Sequence, residues 1–152
     1  MDGFYSASPD TPKAVVKALK MNRDVPGHYY EFGLYKGYSF YRAIKASPGI
    51  KHFAFDSFEG LPEKCEGGGF EKGRYAGSLE YVKENLRKRG ALGDNEFFYK
   101  GFYNETLTLE LQSKFKRDVA KVVLVDCDLY SSTVPVLRFI KPMLQKETLI
   151  LC

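Results

Sequence analysis

The stretch from Tyr29 to Phe40, YYEFGLYKGYSF, constrains this chain more than any other. His28 to Phe32 has the aromatic bias of a β-strand. Gly33 and Gly37 mark backbone that must turn tightly or pass close to a ligand, where a Cβ would intrude. From Gly37 onward the residues enter a helix. A strand that stops at a glycine-bearing turn and feeds a helix aims the free N–H groups of that helix back at the turn, which is how α/β folds grip nucleotide-like cofactors. Glu31 stands at the carboxyl end of the strand, where a carboxylate can accept hydrogen bonds from an amine or hydroxyl. The glycines do not spell G-x-G-x-x-G, because Tyr35 occupies the middle position, and this counts against a dinucleotide site.

A chain of 152 residues is about one domain. Its 23 basic and 19 acidic side chains leave a net charge of +4, interspersed except at Arg87-Lys88-Arg89. That pattern offers no tail for a nucleic-acid backbone, so no nucleic-acid partner is expected. Cys65, Cys127 and Cys152 form no C-x-x-C pair and are odd in number, which points to a reducing compartment. With no basic-then-apolar leader before the first helix and no run long enough for a bilayer, the expectation is a cytoplasmic protein without a membrane partner.

The spacing predicts a packing helix from Thr11-Pro12, read as N-cap and first helical residue, through Ala14, Val15, Ala18 and Leu19 to Arg23. Residues 1–27 thus form an arm and packing helix, and residues 28–152 the main domain. Tyr38 to Ser47 reads as a helix ended by Pro48-Gly49. Ile50 to Phe55 reads as a second strand terminating at Asp56, which lies where an acidic residue bonds ribose hydroxyls in mononucleotide-binding units, or caps the next turn. The glycine-rich run after it, with Gly67, Gly68, Gly69, Gly73 and Gly77, reads as a lid or binding loop. Ser78 caps a helix whose apolar face is Leu79, Val82 and Leu86. Asn95 to Tyr99 is a third strand reaching Gly101, and Leu107 to Phe115 a loosely amphipathic helix. Val119 to Val125 is an apolar, β-branched run, as in a strand covered on both faces. It discharges into Asp126-Cys127-Asp128. Side chains alternate along an extended segment, so Asp126 and Asp128 can face one side, suiting a divalent ion or an ion ligand beside a proton acceptor. Asp128 or Ser132 could equally cap the following helix, Thr133 to Leu144, with Val134, Leu137 and Met143 facing the sheet. Five strand-like runs separated by helices, with right-handed crossovers, predict a parallel sheet of order 3-2-1-4-5.

Glu31-Phe32-Gly33 with Gly37, then DSFEGLP at Asp56 to Pro62, Gly101-Phe102 with Thr106-Leu107, and DCDLYSST at Asp126 to Thr133, resemble the macrocin O-methyltransferase family in order and spacing from about Tyr30 to the last residue. The resemblance implies a Rossmann-like class I fold and an S-adenosylmethionine (SAM)-dependent O-methyltransferase. It implies methylation of a hydroxyl on a sugar or other secondary metabolite, helped by magnesium. By the same resemblance Glu31, Phe32, Gly33, Tyr35, Gly37, Asp56, Ser57, Phe58 and Gly101 line the cofactor site. A bulky residue at Gly33 is expected to block that cofactor. Asp126 is expected at the metal and the accepting hydroxyl, with Asp128 second. The partner implied is a small hydroxyl-bearing acceptor, a glycosylated metabolite among the candidates, and a homo-oligomer is compatible.

The family pattern continues past the last strand into an Asp-Asp pair completing the metal site, and its sheet has two further strands. Here Glu147 to Cys152 reads as the last strand, so the expected sheet lacks those two and the expected metal site is incomplete. Two other readings stay open: a non-catalytic SAM-binding or interaction domain, and a nicotinamide oxidoreductase. The missing G-x-G-x-x-G and the absence of a Tyr-x-x-x-Lys pair count against the latter.

Overall fold

The computed structural model describes residue 4 and residues 8–60, 77–127 and 129–152. The proposed lid, apart from Gly77, lies outside the described residues, as does Asp128. The described residues form a five-stranded sheet of order β3-β2-β1-β4-β5, built from β1 (His28–Phe32), β2 (His52–Asp56), β3 (Glu96–Lys100), β4 (Ala120–Val125) and β5 (Leu149–Leu151). Every pairing is parallel. This is the class I methyltransferase sheet without its last two strands, as the sequence reading expected.

Alternation along the strands divides the core in two. Tyr29, Ala54, Val122 and Leu124 face α1 (Asp10–Met21), α2 (Tyr38–Ala46) and α3 (Leu79–Lys88), where Val15, Leu19, Phe40, Ala43, Val82 and Leu86 cover them. Tyr30, Phe32, Phe53, Phe55 and Val123 face the opposite way, onto Phe115, Val136, Phe139 and Met143. All six residues of β4 are buried, as a central parallel strand covered on both faces must be. No helix among the described residues is long and apolar enough to cross a membrane.

Several boundaries differ from the sequence reading. α1 starts at Asp10 with Pro9 at the N-cap, so Thr11 is not the cap. Pro12 sits in the first turn, where its missing N–H has no intrahelical partner to lose. Ala14 is exposed, and Val15, Ala18 and Leu19 carry the packing. The helix expected from Leu107 to Phe115 is shorter, α5 (Leu109–Lys114), opened by Thr108 Oγ1, which accepts from Leu111 N–H, and a separate short helix that was not expected, α4 (Tyr103–Thr106), precedes it. α6 runs from Tyr130 to Ile140, three residues early at its start. It begins on buried Leu129, whose carbonyl takes the Thr133 N–H and Oγ1–H. Ser132 therefore lies inside the helix and is not its N-cap. The end tightens into a 3₁₀ turn at Lys141–Met143, where Pro142 has no N–H to continue the α-helical hydrogen-bond ladder. The early start rotates the buried face to Val136, Phe139, Ile140 and Met143, and leaves Leu137 43% exposed.

Candidate active site

The strand register brings the predicted site residues to one rim. Phe55, Phe32 and Val125 form one row across β2, β1 and β4, so Asp56, Gly33 and Asp126 follow on the next row at the carboxyl ends. Strands lie about 4.8 Å apart, which puts Asp56 and Asp126 on the order of 10 Å from each other with Gly33 between. Backbone bonds continue past the strands: Gly33 N–H to the Phe55 carbonyl at 2.9 Å, Asp126 N–H to the Phe32 carbonyl at 2.9 Å, and Gly101 N–H to the Asp56 carbonyl at 3.0 Å.

Both glycines of the turn are required by the protein itself. Gly33 has φ +93°, and a Cβ there would lie 2.2 Å from the Asp126 carbonyl oxygen. The clash expected between a bulky residue and a ligand is thus first a clash with the neighbouring strand. Gly37, φ +81°, is the N-cap of α2, and its Cβ would press on Val82 at 2.8 Å. No side chain caps α2 there, so its first N–H groups point at the crevice. Between the glycines Tyr35 is left-handed at φ 52°. Gly77 closes on it from the far side of the chain, with a would-be Cβ 1.9 Å from the Tyr35 carbonyl oxygen.

Two of the carboxylates predicted for the cofactor have internal partners. Glu31 is fully buried; Tyr29 Oη donates to its Oε2 at 2.6 Å and Ser39 Oγ to its Oε1 at 2.5 Å. Burial pushes its carboxyl up to about 8 against those two hydroxyl donors, with Asp126 and Asp56 adding to the rise. Asp56 accepts from Leu34 N–H at 2.6 Å, Tyr35 N–H at 3.4 Å and Phe58 N–H at 2.7 Å. Burial raises the Asp56 carboxyl and these backbone donors oppose the rise. Ser57 Oγ donates to the Gly60 carbonyl and accepts from Glu59 N–H, folding the loop after β2 on itself. Phe58 is left-handed at φ 56° and buried in the first core.

Phe32 points away from this face, its ring stacked on Phe55 at 4.6 Å in the second core, and offers the rim only backbone. Gly101 abuts Thr106, whose Oγ1 lies 2.2 Å from where a Cβ would stand. Asp126 is exposed at the end of β4. Tyr29, Leu34 and Ser39 were missed as site-shaping residues, whereas Gly77 was read as part of a binding loop. Tyr29 could have been found by strand period, two residues before Glu31 on the same face; the others meet their partners only in three dimensions.

The family profile described as Macrocin-O-methyltransferase (TylF) matches residues 12–151. The 8-demethyl-8-(2,3-dimethoxy-alpha-L-rhamnosyl)-tetracenomycin-C 4'-O-methyltransferase of Streptomyces olivaceus is 31% identical over 134 residues, covering 79% of this chain and 49% of that one. The present chain therefore spans about half the length of that curated relative. Among solved structures, CalS11, a calicheamicin methyltransferase, superposes with a TM-score of 0.79 at 23% identity, covering 97% of this chain and 65% of that one. The O-methyltransferase NovP gives 0.74 at 21%, covering 93% and 63%. These two share the fold. With the sheet order, the glycine turn and a profile match over nearly its whole length, the chain belongs to the macrocin O-methyltransferase family of class I SAM-dependent methyltransferases.

Proposed function

We propose that this chain holds the SAM site of an enzyme that methylates a hydroxyl on a sugar or other secondary metabolite. The observation that carries the reading is the rim itself: Gly33, Asp56 and Asp126 on successive strand ends, with the uncapped start of α2 beside them. Ligands of open α/β sheets bind in the crevice outside such ends, beside the first strand. The tetracenomycin relative's printed name describes a methyltransferase for a rhamnosyl compound, which favours a sugar hydroxyl as acceptor.

Bound at this rim, SAM supplies a methyl group already activated by a positively charged sulfur. The protein then has to hold the acceptor oxygen in line with that sulfur and take its proton. Asp126 is the residue we assign to the proton. Its backbone is fixed to β1 through its N–H, and its side chain is exposed where an acceptor would approach. With SAM bound, the Asp126 carboxylate would take the proton of the acceptor hydroxyl as that oxygen receives the methyl group. Asp128 is the second choice.

Magnesium is the finer part of the expectation. Among the described residues no three His, Cys, Asp or Glu side chains come together as a metal-holding group, and a single carboxylate rarely keeps a hydrated ion. No step here runs through a cation.

Calorimetric titration of the 152-residue chain with S-adenosylhomocysteine and with NAD, each with and without magnesium chloride, tests the reading. It predicts binding of S-adenosylhomocysteine in both buffers and none of NAD. Binding of NAD, or of neither ligand, would overturn it.

A further inference from the structure

Tyr35 and Phe58 are both left-handed, at φ 52° and 56°. Bulky aromatic residues adopt that conformation rarely, and unlike Asn or Asp they have no polar side chain to support it locally. Something outside each residue has to hold it there. The two lie on opposite lips of the crevice, one in the turn between β1 and α2, the other in the loop after β2. One side chain reaches both. Asp56 Oδ2 accepts from Leu34 N–H at 2.6 Å and, more distantly, Tyr35 N–H at 3.4 Å, and Oδ1 accepts from Phe58 N–H at 2.7 Å. Its backbone carbonyl meanwhile takes the Gly101 N–H of the third strand end.

We propose that Asp56 is a positioning residue, a carboxylate clip that joins the glycine turn to the loop after β2 and fixes the backbone of both lips before any cofactor arrives. This rests on the SAM reading for what the crevice holds, and adds how the crevice is built. The geometry differs from the ribose-binding role that the position of Asp56 suggests in the sequence. Its nearest acceptor directions are occupied by protein N–H groups, so its effect on the cofactor passes through the turn. Among the described residues neither the Leu34 nor the Phe58 N–H donates to a backbone carbonyl, and each has its partner in Asp56. A carboxylate serves both because it only accepts; an amide presents an NH₂ to one lip and faces donor with donor there.

Two measurements on the ligand-free protein read the clip directly. In the wild type, the Leu34 and Phe58 amides should be protected from hydrogen exchange although they lie outside the strands; free exchange at both would overturn the proposal. In Asp56→Asn the protection of at least one of the two should fall tenfold or more, while the Val123 amide in β4 is unchanged; equal protection in variant and wild type would also overturn it. A ligand series separates clip from direct contact. The clip predicts that Asp56→Asn weakens S-adenosylhomocysteine and its 2'-deoxy and 3'-deoxy analogues by the same factor, tenfold or more. A loss confined to the ligands with both ribose hydroxyls would assign Asp56 to the ribose. If the wild type binds no S-adenosylhomocysteine, the SAM reading fails while the exchange results still decide the clip. Should Asp56→Asn not fold, wild-type exchange and the wild-type loss of affinity for the deoxy analogues decide: protected amides uphold the clip, and exchange as fast as in the unfolded chain refutes it.

Discussion

Ser39 Oγ donates a 2.5 Å hydrogen bond to Glu31 Oε1, joining the first turn of α2 to the end of β1 beneath the glycine turn. Tyr29 Oη holds the other carboxyl oxygen at 2.6 Å. The acidic group that the sequence offers to a ligand is thus part of the floor under the crevice, and its ionisation is tied to folding.

Glu31 should therefore make the protein less stable as pH rises. An unfolded chain loses this proton near 4.5, whereas burial pushes the folded group up to about 8. The stability it contributes is full below 4.5 and is lost as pH rises through 8. Between pH 7 and 8.5 the wild type should lose about 1 kcal/mol, at ~1.4 kcal/mol per unit of unmatched titration. Glu31→Gln, whose amide can still meet two hydroxyls that turn to donate or accept, should show no such slope. Urea unfolding of both proteins at the two pH values checks it.

His52 should act in the opposite range. Burial pushes its imidazole down to about 4 from 6.5. Ser47 Oγ lies 3.1 Å from Nε2, and Nδ1 faces a Glu96 oxygen at 3.4 Å without hydrogen-bond geometry. The folded protein keeps the ring neutral where the unfolded chain would charge it, so its contribution is full above 6.5 and lost as pH falls through 4. The loss is at most about 3 kcal/mol over that window. His52→Gln should unfold less steeply with acid than the wild type, read by circular dichroism between pH 6.5 and 4.

Gly33 and Gly49 separate backbone conformation from close approach. Both have φ near +90°, but a Cβ at Gly49 meets nothing within 4 Å, while at Gly33 it meets the Asp126 carbonyl. Gly49→Ala should cost about 1 kcal/mol, the strain of the left-handed region alone. Gly33→Ala should cost at least ~2 kcal/mol more, because β1 and β4 must separate at the rim. Denaturant midpoints at fixed pH measure both.

The sheet was legible because parallel strands buried on both faces announce themselves, as in Val122 to Val125, and because the strand ends at Gly33, Asp56 and Asp126 are punctuated by residues unsuited to a core. Helix ends were less so. Thr108 restarts a helix and Leu129 begins one three residues before Thr133, both through contacts that propensity does not encode. Gly33, Asp56 and Asp126, singled out in the sequence, fall on one rim of the sheet, but the sequence cannot show what a carboxylate touches. Glu31 and Asp56 gain internal donors only when α2 and the loop after β2 fold over them. The lid, apart from Gly77, and Asp128 lie outside the described residues.

Asp126 should matter for turnover and little for cofactor affinity. In a longer version of the protein that methylates a sugar hydroxyl, Asp126→Asn should lower kcat by about 10²-fold or more, as expected when a positioned proton acceptor is removed. The dissociation constant for S-adenosylhomocysteine should change less than threefold. Single-turnover methyl transfer and calorimetry give the two numbers; equal rates would remove the role assigned to Asp126.

The most direct test of the account is the map of backbone amide shifts when S-adenosylhomocysteine is added to the ¹⁵N-labelled chain. Saturable shifts should concentrate at Gly33, Leu34, Gly37, Ser39 and the residues just after Asp56, with the amides of α1 and of Leu149–Leu151 unmoved. Shifts centred elsewhere, or none at millimolar ligand, would contradict the claim that these strand ends form a SAM site.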